Sequence, residues 1–360
     1  MSKSEYLNSN YLSRNPSVDM EKFLDTPLRD REITASGQTT VKPKLLGYIF
    51  EPDKIALSYS RLQTLKTCPR KFLLKELNHR QVEFLPSIDT AYGSALGAGI
   101  QSLFLHANFP KACISALENW DYDDLEAPTY RKSSKDFASL ILTLEAFYNN
   151  SFQDLYSQYQ LAYIEGKPGV ELFVYMNIHS NYNYQIHVDL VLQDRETKEL
   201  LVTEIKTSTY PGDIADWKNS EQTLGYYTFL KYLADKYGYP IAPKILYIVS
   251  QAGKYLDYED DFGFNFFWIP QSEETVLEFN ANLIVDILTI ELYIDHGHFP
   301  KRGSSCKTFG RVCEFFDLCD LEKFTHTEAP LESGGYKSLT LDDADFQIDL
   351  GKLIARSSDS

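Results

Sequence analysis

Three β-rich runs stand close together in the middle of this chain: ELFVYMNI (171–178), YQIHVDLVLQ (184–193) and LLVTEIKT (200–207). The connectors HSNYN and DRETKE are too short to carry a crossover helix, so neighbouring runs must pair antiparallel as a meander. A helical stretch at about 220–237 follows, and then two more strand-like runs, KILYIVSQ (244–251) and FGFNFFWI (262–269). Apolar residues at helical spacing predict further helices at about 58–77, 91–106, 135–160 and 273–296. Pro69 should interrupt the first of these. The pattern is that of an α/β fold, a mixed central sheet flanked by helices.

The 360 residues suffice for one large domain or two ordinary ones. With 25 Tyr and 22 Phe, the chain is rich in aromatics that suit sheet packing. No run approaches the length of a membrane span, and MSKSEYLNSNYLSRNPSVD lacks the apolar core of a signal peptide. A cytoplasmic protein is expected. Residues 1–45 and 327–360 read as polar, loosely docked extensions around a domain at 46–326. The net charge of −16 opposes nonspecific binding to a polyanion. Local composition runs the other way. Residues 61–80 carry Arg61, Lys66, Arg70, Lys71, Lys75 and Arg80 against Glu76 alone, and residues 301–312 carry Lys301, Arg302, Lys307 and Arg311 with no acid.

The chemistry concentrates in the meander. Glu204 and Lys206 are two apart, so on a strand they leave the same face. Asp189 lies mid-strand one hairpin earlier, where a carboxylate is costly unless paired or bound to metal. Glu171 opens the preceding strand and could add a third carboxylate. Hard oxygen ligands for Mg²⁺ or Mn²⁺ and a lysine to orient or deprotonate water are what phosphodiester hydrolysis needs. That lysine role calls for metal and desolvation to lower its pKa. The Glu204/Lys206 pair alone is equally a surface salt bridge. On the next helix Gln222 and Tyr226 share a face, which fits a capping glutamine and a buried tyrosine as well as a site.

Taken in order, HVDLVLQ, VTEIKTS and QTLGY resemble the PD-(D/E)XK nuclease superfamily, in particular its RecB-like exonuclease branch. The resemblance covers about residues 55–322 and implies a restriction-endonuclease-like fold. It implies that Asp189, Glu204 and the Ile205 backbone carbonyl bind metal and that Lys206 is the catalytic lysine. Gln222 and Tyr226 would contact DNA or support the site. Many members carry a G-x-x-x-H histidine on the early helix. Here YGSALGAGIQSLF places Gly93 at the glycine and Gly97 at the histidine, leaving Gln101 one turn on as a neutral-oxygen candidate. His187, two before Asp189, reads as structural.

Five cysteines remain to be placed. Cys306, Cys313 and Cys319 form C-x6-C-x5-C, which fits structural zinc poorly, with free thiols clustered by chance as the lesser alternative. Cys113 reads as an ordinary buried residue. Cys68 lies in SRLQTLKTCPRKFLLKEL, which resembles the segment bearing the first cluster ligand in the same nuclease branch. That resemblance implies a [4Fe–4S] cluster on Cys68, Cys306, Cys313 and Cys319, a staple joining the N- and C-terminal segments. Arg61, Arg70 and Lys71 would then flank DNA. The implied activity is a Mg²⁺- or Mn²⁺-dependent DNA exonuclease acting on single strands or duplex ends. Its setting would be repair, recombination or phage DNA processing in a prokaryotic or phage-infected cell. A DNA-binding scaffold that has lost catalysis, or a nuclease subunit that needs a protein partner, are the alternatives.

Overall fold

The computed structural model describes residues 55–77, 87–122, 135–179, 182–208, 214–218, 220–251, 263–308, 311–316, 319 and 346–349. The 1–45 extension and most of the segment beyond 327 lie outside them. The chain divides into two compact units. One comprises Met1–Val82 with Ala281–Lys337, the other Glu83–Asn280 with Ser338–Ser360. Among the described residues no helix is long and apolar enough to cross a membrane.

The second unit holds the meander. Its helices are α1 (Ile88–His106), α2 (Phe109–Glu118), α3 (Phe137–Phe147) and α4 (Glu221–Tyr237). Its main strands are β1 (Tyr159–Leu161), β2 (Val170–His179), β3 (Tyr182–Asp194), β4 (Leu200–Ser208), β5 (Ile241–Gln251), β6 (Phe264–Pro270) and β7 (Phe346–Asp349). The sheet runs β7-β2-β3-β4-β5-β6, and β1 pairs with the outer end of β3. β2, β3 and β4 are antiparallel as expected, β5 is parallel to β4 across the α4 crossover, and β6 returns antiparallel.

Local chemistry sets the helix ends. Ser87 caps α1 by accepting from the Thr90 amide, and Asp136 with Ser139 makes a capping box at the start of α3. The helix expected over 135–160 is broken by a wider turn at Tyr148–Phe152 and ends in β1. On one sheet face Leu96, Ile100, Leu140 and Leu144 close over Leu190, Leu201, Ile205 and Leu246 in a single apolar cluster. Burial of each such side chain is worth about 1.5–3 kcal/mol, which makes this cluster the main support of the sheet. α4 also packs on the sheet, with Thr223 Oγ1 and Tyr247 Oη 2.8 Å apart and Phe229 against Phe346. Gly99 is needed for closeness: a Cβ there would stand 2.9 Å from Leu144 Cδ2 and 3.5 Å from the Ala112 carbonyl of α2.

In the first unit, Pro69 does restart the early helix, which runs Tyr59–Thr67 and then Pro69–Phe72. The two basic segments lie together there. Ser305 donates to the Thr67 carbonyl at 2.7 Å, and the Arg70 amide donates to the Pro300 carbonyl at 3.2 Å.

Candidate active site

The sheet register brings three carboxylates into one row. Val170 pairs with Leu190 and Leu172 with Val188, so Glu171 stands opposite Asp189 across β2 and β3. The β3–β4 ladder ends at Leu190 and Thr203, and the next positions are Asp189 and Glu204. At this point the sheet is irregular. Glu171 has φ +47°, in the left-handed region that costs a non-glycine residue energy. The side-chain alternation of β3 breaks as well: Leu190 packs with the α1 cluster, whereas Tyr184, of the same parity, lies against Gly225 of α4. Asp189 fills the gap where the strands part, its Oδ2 accepting from the Ile205 amide at 3.3 Å.

Glu204 has no solvent exposure. Its Oε1 ion-pairs with the Lys206 ammonium, and no amide or hydroxyl donor reaches either carboxylate oxygen. Burying a carboxylate costs several kcal/mol when so few donors meet it, far more than a strand-surface salt bridge returns. The alternative reading of this pair as a surface salt bridge is therefore set aside. Burial pushes the Glu204 carboxyl up, against the pull of Lys206 and of a hydrogen bond with the Asp189 carboxyl. Burial also pushes Asp189 well above the usual range, and the neighbouring Glu204 charge raises it further. A pair of desolvated, under-coordinated carboxylates is a donor set that fits a hard divalent cation.

Lys206 behaves differently from the expectation that its pKa is lowered. Burial alone would lower it, but the charge of Glu204, then that of Asp189, holds the ammonium above the usual lysine range. Its Nζ donates to Gln222 Oε1 at 3.0 Å, and Gln222 Nε2 donates to Tyr226 Oη at 2.7 Å. Tyr226 is buried, and that burial, followed by the charges of Glu204 and Asp189, keeps its phenol protonated. The Gln222/Tyr226 pair thus braces the lysine from α4.

Helix α1 overlooks the same row. A Cβ at Gly93 would lie 3.4 Å from Thr207 Oγ1 at the end of β4, and Gln101 donates to Glu171 Oε1 and to the Asp189 carbonyl. The Gln101 amide nitrogen therefore holds a carboxylate of the row. Gly97 lies between them on that face, and a Cβ there would meet nothing within 4 Å. His187 is exposed and stacks on Phe173 at 4.7 Å, the structural part expected of it. Sequence reasoning missed Tyr247, the β5 neighbour of Glu204 and partner of Thr223. Its signal was a lone tyrosine in the aliphatic run KILYIVSQ, where a buried hydroxyl needs a partner.

The three basic side chains expected at DNA belong to the first unit and are engaged there. Arg70 is buried and its Nε donates to the Phe299 carbonyl at 2.9 Å, so it serves the fold rather than a surface. Arg61 Nε pairs with Glu76 at 3.1 Å, and Lys71 with Glu314 at 2.8 Å. The four cysteines belong to that unit too. Cys306 and Cys313 flank a short hairpin, with the Cys313 amide donating to the Cys306 carbonyl at 2.9 Å. Burial pushes the Cys319 thiol up; Lys301 and Arg70 lower it, while Cys68 and Cys306 add to the rise. Even so, among the described residues no three His, Cys, Asp or Glu side chains form a ligating group, so neither the expected [4Fe–4S] staple nor the row of Glu171, Asp189 and Glu204 is a preformed three-ligand site. Cys113 is partly buried against the α1 cluster.

The sequence profile of the PD-(D/E)XK nuclease superfamily matches residues 56–320, most of the chain and all of the site. The chain belongs to that superfamily. Asp189, Glu204 and Lys206 all lie inside the span that this PD-(D/E)XK protein shares with the superfamily. No curated protein matches the chain. Among solved structures it is similar to a candidate exonuclease from Eubacterium rectale at 12% identity, with TM-score 0.40, covering 85% of this chain and 97% of that one. It is also similar to the protein SSO0001 at 14% identity, with TM-score 0.23, covering 60% of this chain and 84% of the other. The superfamily indicates a hydrolytic nuclease with DNA as substrate.

Proposed function

We propose that this PD-(D/E)XK protein is a Mg²⁺- or Mn²⁺-dependent DNA exonuclease of the RecB-like branch, acting on single strands or duplex ends in repair, recombination or phage DNA processing in the cytoplasm. The observation that carries the reading is the fully buried Glu204 carboxylate, paired with Lys206 and in contact with the Asp189 carboxyl. A divalent ion held by Asp189, Glu204 and the Ile205 carbonyl would supply a Lewis acid at the scissile phosphate and lower the pKa of a bound water. Glu171, kept in place by Gln101, adds negative charge to that row. Lys206 stays an ammonium, so its task is to orient the attacking water or a phosphate oxygen and to offset developing charge. Gln222 and Tyr226 fix its position.

End-labelled single- and double-stranded DNA, incubated with the purified protein and Mn²⁺ or Mg²⁺, should release short products and mononucleotides. Intact substrate of both kinds under both metals would overturn the reading. The scaffold alternative draws on Gly97, which leaves α1 without a ligand. For that reason Gly97→His is a sensitive probe, since the open space admits the ring and a glycine within a helix already costs stability. It should tighten Mn²⁺ binding about tenfold, the equivalent of roughly 1.4 kcal/mol, as read by calorimetry.

The cluster belongs to the same proposal. Its support is four thiols in one unit, with Cys68 close enough to raise both Cys313 and Cys319, each already raised first by its own burial. Protein purified without oxygen should contain iron and sulfide in equal amounts, lost together in Cys313→Ser. Iron-free protein of full Mg²⁺- or Mn²⁺-dependent activity would remove the cluster from the account.

A further inference from the structure

A second recess lies next to the carboxylate row and is not needed by the chemistry just described. α1 ends at Ala107, whose φ of +49° turns the chain, and α2 starts two residues on, capped by Asn108 and returning along α1 with Ala112 beside Gly99. The groove between these helices has a volume of about 310 Å³, at the small end of pockets that take small molecules. Its residues are ordered along its length. His106 and Lys111 lie at the hairpin end, Ser102 and Ser115 midway, and Glu118 at the far end. Leu105 and Ile114, 39% and 56% exposed, supply apolar surface that the fold leaves uncovered. Gln101 lines the groove and at the same time holds Glu171 and the Asp189 carbonyl.

We propose that this groove is a subsite for a single nucleotide, with its phosphate at His106 and Lys111 and its base over Leu105 and Ile114. Lys111 and Glu118 are seven residues apart on α2, about 10 Å at 1.5 Å per residue. That distance matches the span from a phosphate to the far edge of a base. An ammonium and an imidazole N–H suit a phosphate monoester at one end, and a carboxylate suits the amino or hydroxyl donors of a base or sugar at the other. Apolar side chains between them suit a base more than they suit a free anion. The ligand class rests on the nuclease reading. Its source is either a released mononucleotide or the phosphorylated end of a strand.

Calorimetric titration of the full chain in EDTA with dAMP tests the groove apart from catalysis. Wild type should bind dAMP saturably. Lys111→Glu should weaken it at least about tenfold, the loss expected for a charged hydrogen bond, and Lys206→Ala should leave it unchanged. His106→Gln gives a second reading should Lys111→Glu misfold. The groove assignment is overturned by absent binding, by equal binding in Lys111→Glu and His106→Gln, or by inorganic phosphate binding as tightly as dAMP. Displacement of dAMP by a terminally phosphorylated trinucleotide would identify a strand end as the occupant; failure to displace would identify the free monophosphate. A protein that binds dAMP here but cuts no DNA counts for the groove and against the nuclease reading. One that cuts DNA without binding dAMP does the reverse.

Discussion

Replacing Lys206 with alanine should lower metal-dependent DNA cleavage by about a thousandfold or more, the usual range when a positioned proton-transfer or charge-stabilising group is removed. The folded state should survive. Deleting one partner of a buried pair can cost about 3–5 kcal/mol if the other charge is left stranded. Here burial already pushes the Glu204 carboxyl up, so without Lys206 it can take a proton instead of remaining a stranded anion. Circular dichroism and melting of the variant should therefore stay close to wild type at neutral pH while cleavage of end-labelled DNA is lost. Cleavage at the wild-type rate would exclude Lys206 from the reaction. Gln222→Ala, by contrast, releases the lysine without removing its charge and should cost less.

Asp189→Asn should separate stability from metal binding in opposite directions. In the folded protein the Asp189 proton is held to higher pH than in the unfolded chain, because of burial first and the Glu204 charge second. The native state therefore binds more protons than the unfolded one above the ordinary carboxylate range. Stability present at low pH is accordingly lost as pH rises through the raised value. The asparagine variant lacks this slope and should be more stable than metal-free wild type at neutral pH, by about 1 kcal/mol, as expected when a strained functional group is neutralised. Mn²⁺ competes with that same proton. Its stabilisation of wild type should grow as pH rises and vanish in Asp189→Asn. Melting curves at several pH values, with and without Mn²⁺, decide the matter; an undiminished Mn²⁺ shift in the variant would remove Asp189 from the metal site.

Much of the fold was legible because its signals are local. The three runs with short connectors left only antiparallel pairing, and β2, β3 and β4 sit within a few residues of where alternation and turns placed them. Pro69 and the helix α4 were legible for the same reason. Of the site, Glu204 with Lys206 and Gln222 with Tyr226 are neighbours as their spacing suggested, while their meeting with Asp189 was implied by the family resemblance alone. What depended on long-range packing was hidden. The Gln101–Glu171 contact joins residues 70 apart in sequence, and nothing near Glu171 announces a left-handed backbone. The direction of the Lys206 shift depends on whether burial or the neighbouring carboxylates prevails, a balance visible only once the distances are known. Arg70 is a further case: a basic side chain in a basic segment reads as a surface group until its carbonyl partner appears 229 residues later.

The edge strand β7 carries a consequence for how the enzyme is made. Phe346 pairs with Val174, 172 positions earlier (346 − 174). The sequence between them includes Ala281–Lys337, which belongs to the other unit. A ribosome adding roughly 5–20 residues per second needs about ten to thirty seconds to cover that distance. During that interval β2 presents an unpaired row of amides and carbonyls, the feature by which strands recruit wrong partners. The growing chain therefore completes this sheet only once Phe346 has been made, and the β2 edge stays open until then.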